Sequence, residues 1–117
     1  MSQPPAFDPQ QIQSLLDLGA ERSIVQELVD LLEADVPGRL AALERALVLG
    51  DAVRAVAEAH HLKGAMGNMG LVRVAELARR IEEGARTDRL PEIAPLFPAI
   101  PEAYREGLAA LRMAFPD

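Results

Sequence analysis

Two adjacent histidines, His60 and His61, are the only histidines in the chain, and they lie in a stretch that otherwise has the composition of a helix. Lys63 follows one helical turn after His60, and Gly64 and Gly67 come close behind. A glycine inside a helix costs about 1 kcal/mol relative to alanine. Two glycines on the side of a histidine therefore indicate that something large must reach that imidazole. The pattern is typical of a nucleophilic or ligand-bearing histidine on an open helix face.

The chemistry available to such a histidine is nucleophilic attack, because an imidazole side chain is mostly neutral near pH 7. Attack on a phosphoryl group gives a phosphoramidate, and the transfer needs in-line approach and neutralisation of the equatorial oxygens. Lys63 can offer an ammonium group to those oxygens. The sequence near the histidines has no nucleotide-binding loop, Mg²⁺ site or second catalytic base. We therefore expect a carrier rather than an enzyme, with the catalytic groups supplied by a partner.

The helical wheel separates His60 from the expected core. At about 100° per residue, the predicted inward residues of this helix lie well away from His60; they are Ala52, Ala55, Ala59, Leu62 and Met66. Val53 and Val56 fall on the same side as His60 and would give a protein partner an apolar seat, unless the preceding helix partly buries them. Gly64 and Gly67 would leave room for the donor's active site.

Other functions fit the residues less well. Glu58-x-x-His61 matches the spacing found in di-iron helical bundles, but such sites need a second copy of the motif, and the chain has no further histidine for it. Adjacent histidines also splay by about 100° on a helix and chelate one ion poorly. No G-x-S-x-G hydrolase motif is present. A non-catalytic helical adaptor remains an alternative, although it leaves the glycines beside His60 unexplained.

The composition indicates one helical domain. The chain has 117 residues, 50% hydrophobic and 3% aromatic, with a net charge of -6, so nucleic acid and anionic membranes are not expected partners. No apolar run approaches the roughly 18 residues of a membrane span. The absence of cysteine excludes disulfides and thiolate metal sites. The N-terminus lacks the features of a signal peptide, and we expect a cytoplasmic protein.

Apolar periodicity and capping signals predict the elements. Residues 1–6 are expected to form a disordered lead, and residues 7–117 a helical bundle. The predicted helices cover about residues 9–18, 21–49, 52–68 and 71–85, followed by a last helix that begins near Ile100 after an irregular, proline-rich stretch. Asp8 and Asp51 are expected to cap helices, and Pro37 to kink the second one. The sum is an all-α, antiparallel four-helix bundle with an extra short N-terminal helix.

The run Ala59-His60-x-Leu62-Lys63-Gly64, followed by Gly67-Asn68-x-Gly70-Leu71, resembles the motif of histidine-containing phosphotransfer (HPt) domains. The resemblance covers about residues 7 to 114. It implies a four-helix bundle whose exposed histidine carries a phosphoryl group between receiver-domain aspartates, or from a hybrid sensor histidine kinase to a response regulator.

Carried over by position, the resemblance makes His60 the phosphorylated residue, Lys63 the phosphate-steadying residue and Gly64 the access glycine. His61 occupies the variable position of the motif and should be dispensable. The implied partners are response-regulator receiver domains and a hybrid kinase. No cofactor of the chain's own is expected, Mg²⁺ is expected on the receiver domain, and the chain is expected to be a monomer.

Overall fold

The computed structural model describes residues 3–116, and all regular secondary structure in that range is helical, with no strand. The elements are α1 (Gln10–Asp17), α2 (Ser23–Leu49), α3 (Ala52–Asn68), α4 (Val72–Arg86), α5 (Leu90–Ile93), a 3₁₀ turn (Ala94–Leu96) and α6 (Ala99–Ala114). The all-α prediction is confirmed, and the arrangement is consistent with a four-helix bundle of α2, α3, α4 and α6 to which α1 is added. Within residues 3–116, none of the helices combines the length and the hydrophobicity that a membrane span requires.

The ends of α2 and α3 follow the local signals in the sequence. Gly50 ends α2 in the left-handed conformation, with a φ of 69°, which glycine adopts without steric cost. The Asp51 side chain accepts a hydrogen bond of 3.1 Å from the backbone N–H of Arg54 and so caps α3. α2 runs through Pro37, which is exposed; the bend expected there stays a prediction.

The proline-rich stretch is irregular, as predicted. It forms the short α5 and the 3₁₀ turn before α6 begins at Ala99, directly after Pro98. A proline at a helix start removes an N–H that would have no partner within the helix. Ile100, at the start of α6, is fully buried, so the helix contributes to the core from its first turn.

The core lies along one face of each long helix. Ala55, Ala59, Leu62 and Met66 of α3 are all fully buried, as the helical wheel predicts. The prediction for Ala52 was wrong: this residue is only half-buried, because it stands at the first position of α3, where the helix meets the solvent-exposed loop after α2.

The segment before α1 packs against the turn between α3 and α4. The backbone N–H of Asp8 donates a 2.8 Å hydrogen bond to the carbonyl of Gly70. Gly70 has a φ of 81°, and a Cβ at this position would lie 2.1 Å from the Asp8 carbonyl oxygen, so only glycine fits. Residues 3–6 contain no helix, and the Pro4 carbonyl accepts a 3.0 Å bond from Arg73 Nε. Residues 1 and 2 lie outside the described residues, and the disorder of the lead stays a prediction.

Candidate functional site

His60 lies at the middle of α3 with its side chain 64% exposed. The helix beyond it is open, because a Cβ built on Gly64 or Gly67 would meet nothing within 4 Å. The buried face of α3 points elsewhere, as described above. A molecule that approaches from solvent can therefore reach the imidazole without displacing a side chain at either glycine.

The His60 ring is held by a buried carboxylate on the neighbouring helix. Nδ1 of His60 lies 2.9 Å from Oε2 of Glu82, which projects from α4 and has a side chain only 7% exposed. Lys63 Nζ lies 2.9 Å from the other carboxylate oxygen, Oε1. This contact is an ion pair rather than an aligned hydrogen bond, since Oε1 has no hydrogen-bond donor among the described residues. Lys63 is thus beside the carboxylate that holds the ring.

Arg86 is the third group on this carboxylate. It is the last residue of α4, and its Nη2 and Nε lie 2.9 Å and 3.3 Å from Glu82 Oε2. Burial tends to raise the pKa of the Glu82 carboxyl, but the contacts with Lys63, Arg86 and His60 together outweigh it and lower the pKa from 4.5 to about 2. Glu82 is therefore ionised at neutral pH.

The ionised state of Glu82 determines which nitrogen of His60 is free. A carboxylate has no proton to donate, so at the 2.9 Å contact the N–H group must belong to Nδ1. In the neutral ring, Nε2 then keeps its lone pair. The buried Glu82 carboxylate thus fixes the tautomer of the exposed His60 imidazole.

His61 contacts α2, whereas His60 contacts α4. Its Nε2 lies 3.0 Å from Oδ2 of Asp35 on α2, so the nitrogen that is free in His60 is engaged in His61. Glu58 pairs instead with Arg39, at 3.3 Å. Glu58 and His61 thus have different partners, and no group of three potential metal-ligating side chains is found within residues 3–116.

The two valines predicted as an apolar seat lie on one side of His60 along α3. Val53 is 83% exposed and Val56 is half-buried. They line a shallow groove of about 420 Å³ together with Ala85 and Arg86. Its other wall is the end of α4, so α2 does not cover the exposed valine.

Sequence reasoning missed Glu82 and Arg86. The signal for Glu82 was its position beside apolar residues of α4, since it follows Ile81 directly and Ala78 by one turn, and both of these residues are fully buried. A carboxylate in an apolar stripe needs a charged or hydrogen-bonding partner, and that partner is the His60 region of α3.

Comparison with known proteins agrees with this arrangement. Residues 27–114 match the family model of the Hpt domain, so the chain belongs to the Hpt family of histidine phosphotransfer carriers in phosphorelay signalling. Its fold is similar to that in the crystal structure of histidine-containing phosphotransfer protein B (HptB) from Pseudomonas aeruginosa PAO1. The two have a TM-score of 0.78 and 30% sequence identity, over 95% of this chain and 91% of that one. No match is found among curated protein sequences.

Proposed function

We propose that His60 is the phosphorylated residue and that the chain passes its phosphoryl group between partners. It would accept the group from a receiver-domain aspartate or a hybrid sensor histidine kinase, and donate it to another receiver domain. The observation that carries this proposal is the contact of Glu82 with Nδ1 of an exposed His60, which leaves Nε2 as the nucleophile. We expect the relay to act in the cytoplasm, with this chain as a monomer.

The transfer step forms one bond at His60 and breaks one bond at the donor aspartate. The lone pair of His60 Nε2 attacks phosphorus, a nitrogen–phosphorus bond forms, and the bond from phosphorus to the aspartyl oxygen breaks. The aspartyl group leaves as a carboxylate with the bonding electrons. Nδ1 keeps its proton, so the ring becomes cationic, and the Glu82 carboxylate 2.9 Å away stabilises that charge. Onward transfer to a second aspartate is the reverse of this step.

The local charge suits a phosphoryl group better than the net charge of the chain suggests. The whole chain carries -6, whereas around His60 two cations, Lys63 and Arg86, surround the single carboxylate of Glu82. Lys63, one turn after His60, would steady the phosphoryl oxygens. The Mg²⁺ ion would belong to the receiver domain, and the chain would have no kinase activity of its own.

Access and docking would use the residues on either side of the ring. Gly64 and Gly67 leave open space through which the receiver active site can descend. Val53 and Val56 would form an apolar contact with the receiver domain on the other side. His61, whose Nε2 contacts Asp35, would not be needed for transfer.

Transfer from a phosphorylated receiver domain tests the proposal. The protein is incubated with each receiver domain of the source organism, in phosphorylated form and with Mg²⁺. We expect label on this protein that is stable to alkali and labile to acid. His60→Gln should abolish the label, and the matched variant of the adjacent residue, His61→Gln, should retain it.

If His61→Gln lost the label and His60→Gln kept it, the phosphorylated residue would be His61 and the assignment to His60 would be wrong. Failure of every receiver domain to label the wild-type protein would favour the adaptor alternative. An adaptor would bind its partner equally well as wild type and as His60→Gln.

A further inference from the structure

Arg86 lies at the edge of the groove beside His60, and the transfer step gives this cation no direct role. The groove is lined by Ala52, Val53, Val56, Ala85 and Arg86. Val56 stands one helical turn before His60 on α3, whereas Lys63 stands one turn after it. The two cations on Glu82 therefore flank the ring from opposite sides, and only Arg86 also lines the groove.

The Glu82 carboxylate does not need Arg86 to keep a partner on each of its oxygens. Oε2 of Glu82 lies within hydrogen-bond distance of three nitrogens, which are Nδ1 of His60 and Nη2 and Nε of Arg86. A carboxylate oxygen has only two lone pairs, so one of these contacts exceeds what the oxygen can fully accept. His60 and Lys63 together already engage both oxygens. Glu82 therefore keeps a partner on each oxygen if the guanidinium turns away.

Arg86 is also placed to meet an incoming molecule. Its side chain is 58% exposed, and Nη1 takes part in none of the hydrogen bonds found within residues 3–116. Because His60 Nδ1 and Arg86 Nη2 each lie 2.9 Å from the same oxygen, the two nitrogens are within about 6 Å of each other. A molecule that reaches His60 over the valine side must pass the guanidinium.

We propose that Arg86 is a docking residue that recognises a carboxylate of the receiver domain, at the edge of an apolar groove that takes a neighbouring apolar side chain of the same partner. The proposal rests on the proposed function, which makes the partner a receiver domain with an acidic phosphorylation site. The planar guanidinium binds a carboxylate through two parallel hydrogen bonds, and lysine cannot reproduce that geometry. The exposed Val53 supplies the apolar part of the contact.

The test measures binding of an unphosphorylated receiver domain, chosen because its phosphorylated form labels the wild-type protein. Arg86→Ala should weaken binding about fivefold, and binding of this variant should depend less on salt, since a charge at an interface edge acts through screened attraction. Arg86→Lys should recover only part of the loss. Val53→Ser should also weaken binding.

A further variant separates docking from a structural effect. Arg79→Ala, on the same helix, removes an exposed arginine that pairs with Glu76 and Glu83, and should bind like wild type.

Unchanged binding by Arg86→Ala, or an equal loss of binding in Arg79→Ala, would overturn the docking role. Loss of binding in Leu31→Ser with none in Arg86→Ala would do the same and place the partner over α2, where Leu31 is 65% exposed. Because the receiver domain is selected by its transfer to wild type, a failure of these variants leaves the phosphotransfer proposal standing. Absence of any labelling would refute that earlier proposal instead.

Discussion

Replacing Glu82 by glutamine tests whether the buried carboxylate stabilises the fold through its charge. The substitution keeps the shape of the side chain and removes only the ionisable group. A pKa lowered from 4.5 to about 2 corresponds to about 3 kcal/mol, at 1.36 kcal/mol per pKa unit. The side chains of Lys63 and Arg86 are 37% and 58% exposed, so solvent screens their attraction. We therefore expect Glu82→Gln to lose about 1–2 kcal/mol of unfolding free energy near neutral pH.

The pH dependence follows from the direction of the pKa change. The folded protein holds the Glu82 carboxyl ionised more strongly than the unfolded chain does. The stabilisation is therefore fully present above the unfolded pKa of 4.5 and is lost as pH falls toward the folded pKa of about 2. The difference between wild type and Glu82→Gln should shrink to less than half near pH 3.

Urea unfolding followed by circular dichroism, near pH 7 and near pH 3, measures this difference. Glu76→Gln serves as the matched control, because Glu76 lies on the same helix and pairs with Arg79 at the surface. The control should change stability by less than about 0.5 kcal/mol. The reasoning fails if Glu82→Gln is as stable as wild type near pH 7, or if its deficit is as large near pH 3.

Three other substitutions probe access, charge and backbone geometry. Gly64→Leu should block receiver docking and transfer, because it fills the open space beside His60; normal transfer rates would remove the access argument. Lys63→Ala should slow transfer or shorten the lifetime of the phosphorylated form, with the unfolding midpoint showing that the fold is kept; if neither kinetic value moves, the lysine acts only as an ion-pair partner of Glu82. Gly70→Ala should lower the unfolding free energy by about 1–3 kcal/mol, because its φ is 81° and its Cβ would strike the Asp8 carbonyl; a thermal melt at the wild-type midpoint would contradict this.

Most of the fold could be predicted because its signals are local. Gly50 and Asp51 mark the boundary between two helices by conformational freedom and side-chain capping, and both act there as expected. The periodicity of α3 placed four of its five predicted inward residues in the core, with Ala52 as the exception, and it put His60 outside the core. Each of these inferences needs only one helix and its neighbouring residues.

The side-chain contacts of His60 could not be predicted in the same way. Glu82 is 22 residues from His60 along the chain, and their contact depends on how α3 and α4 are rotated and shifted against each other. A helical wheel describes one helix and contains no information on that register. For the same reason Lys63 was expected beside phosphoryl oxygens, while its partner in the unphosphorylated protein, the Glu82 carboxylate, went unrecognised.

The packing of the first helix bears on where this bundle can be excised for transplantation into another protein. The matched family region starts at residue 27, inside α2. A fragment cut there would lack Ile12, which is fully buried, and Val25, which is 5% exposed. It would also lack Asp8, whose N–H bonds to Gly70 just beyond the helix that carries His60. A graft that is meant to keep this histidine in place should retain the chain from Phe7 onward.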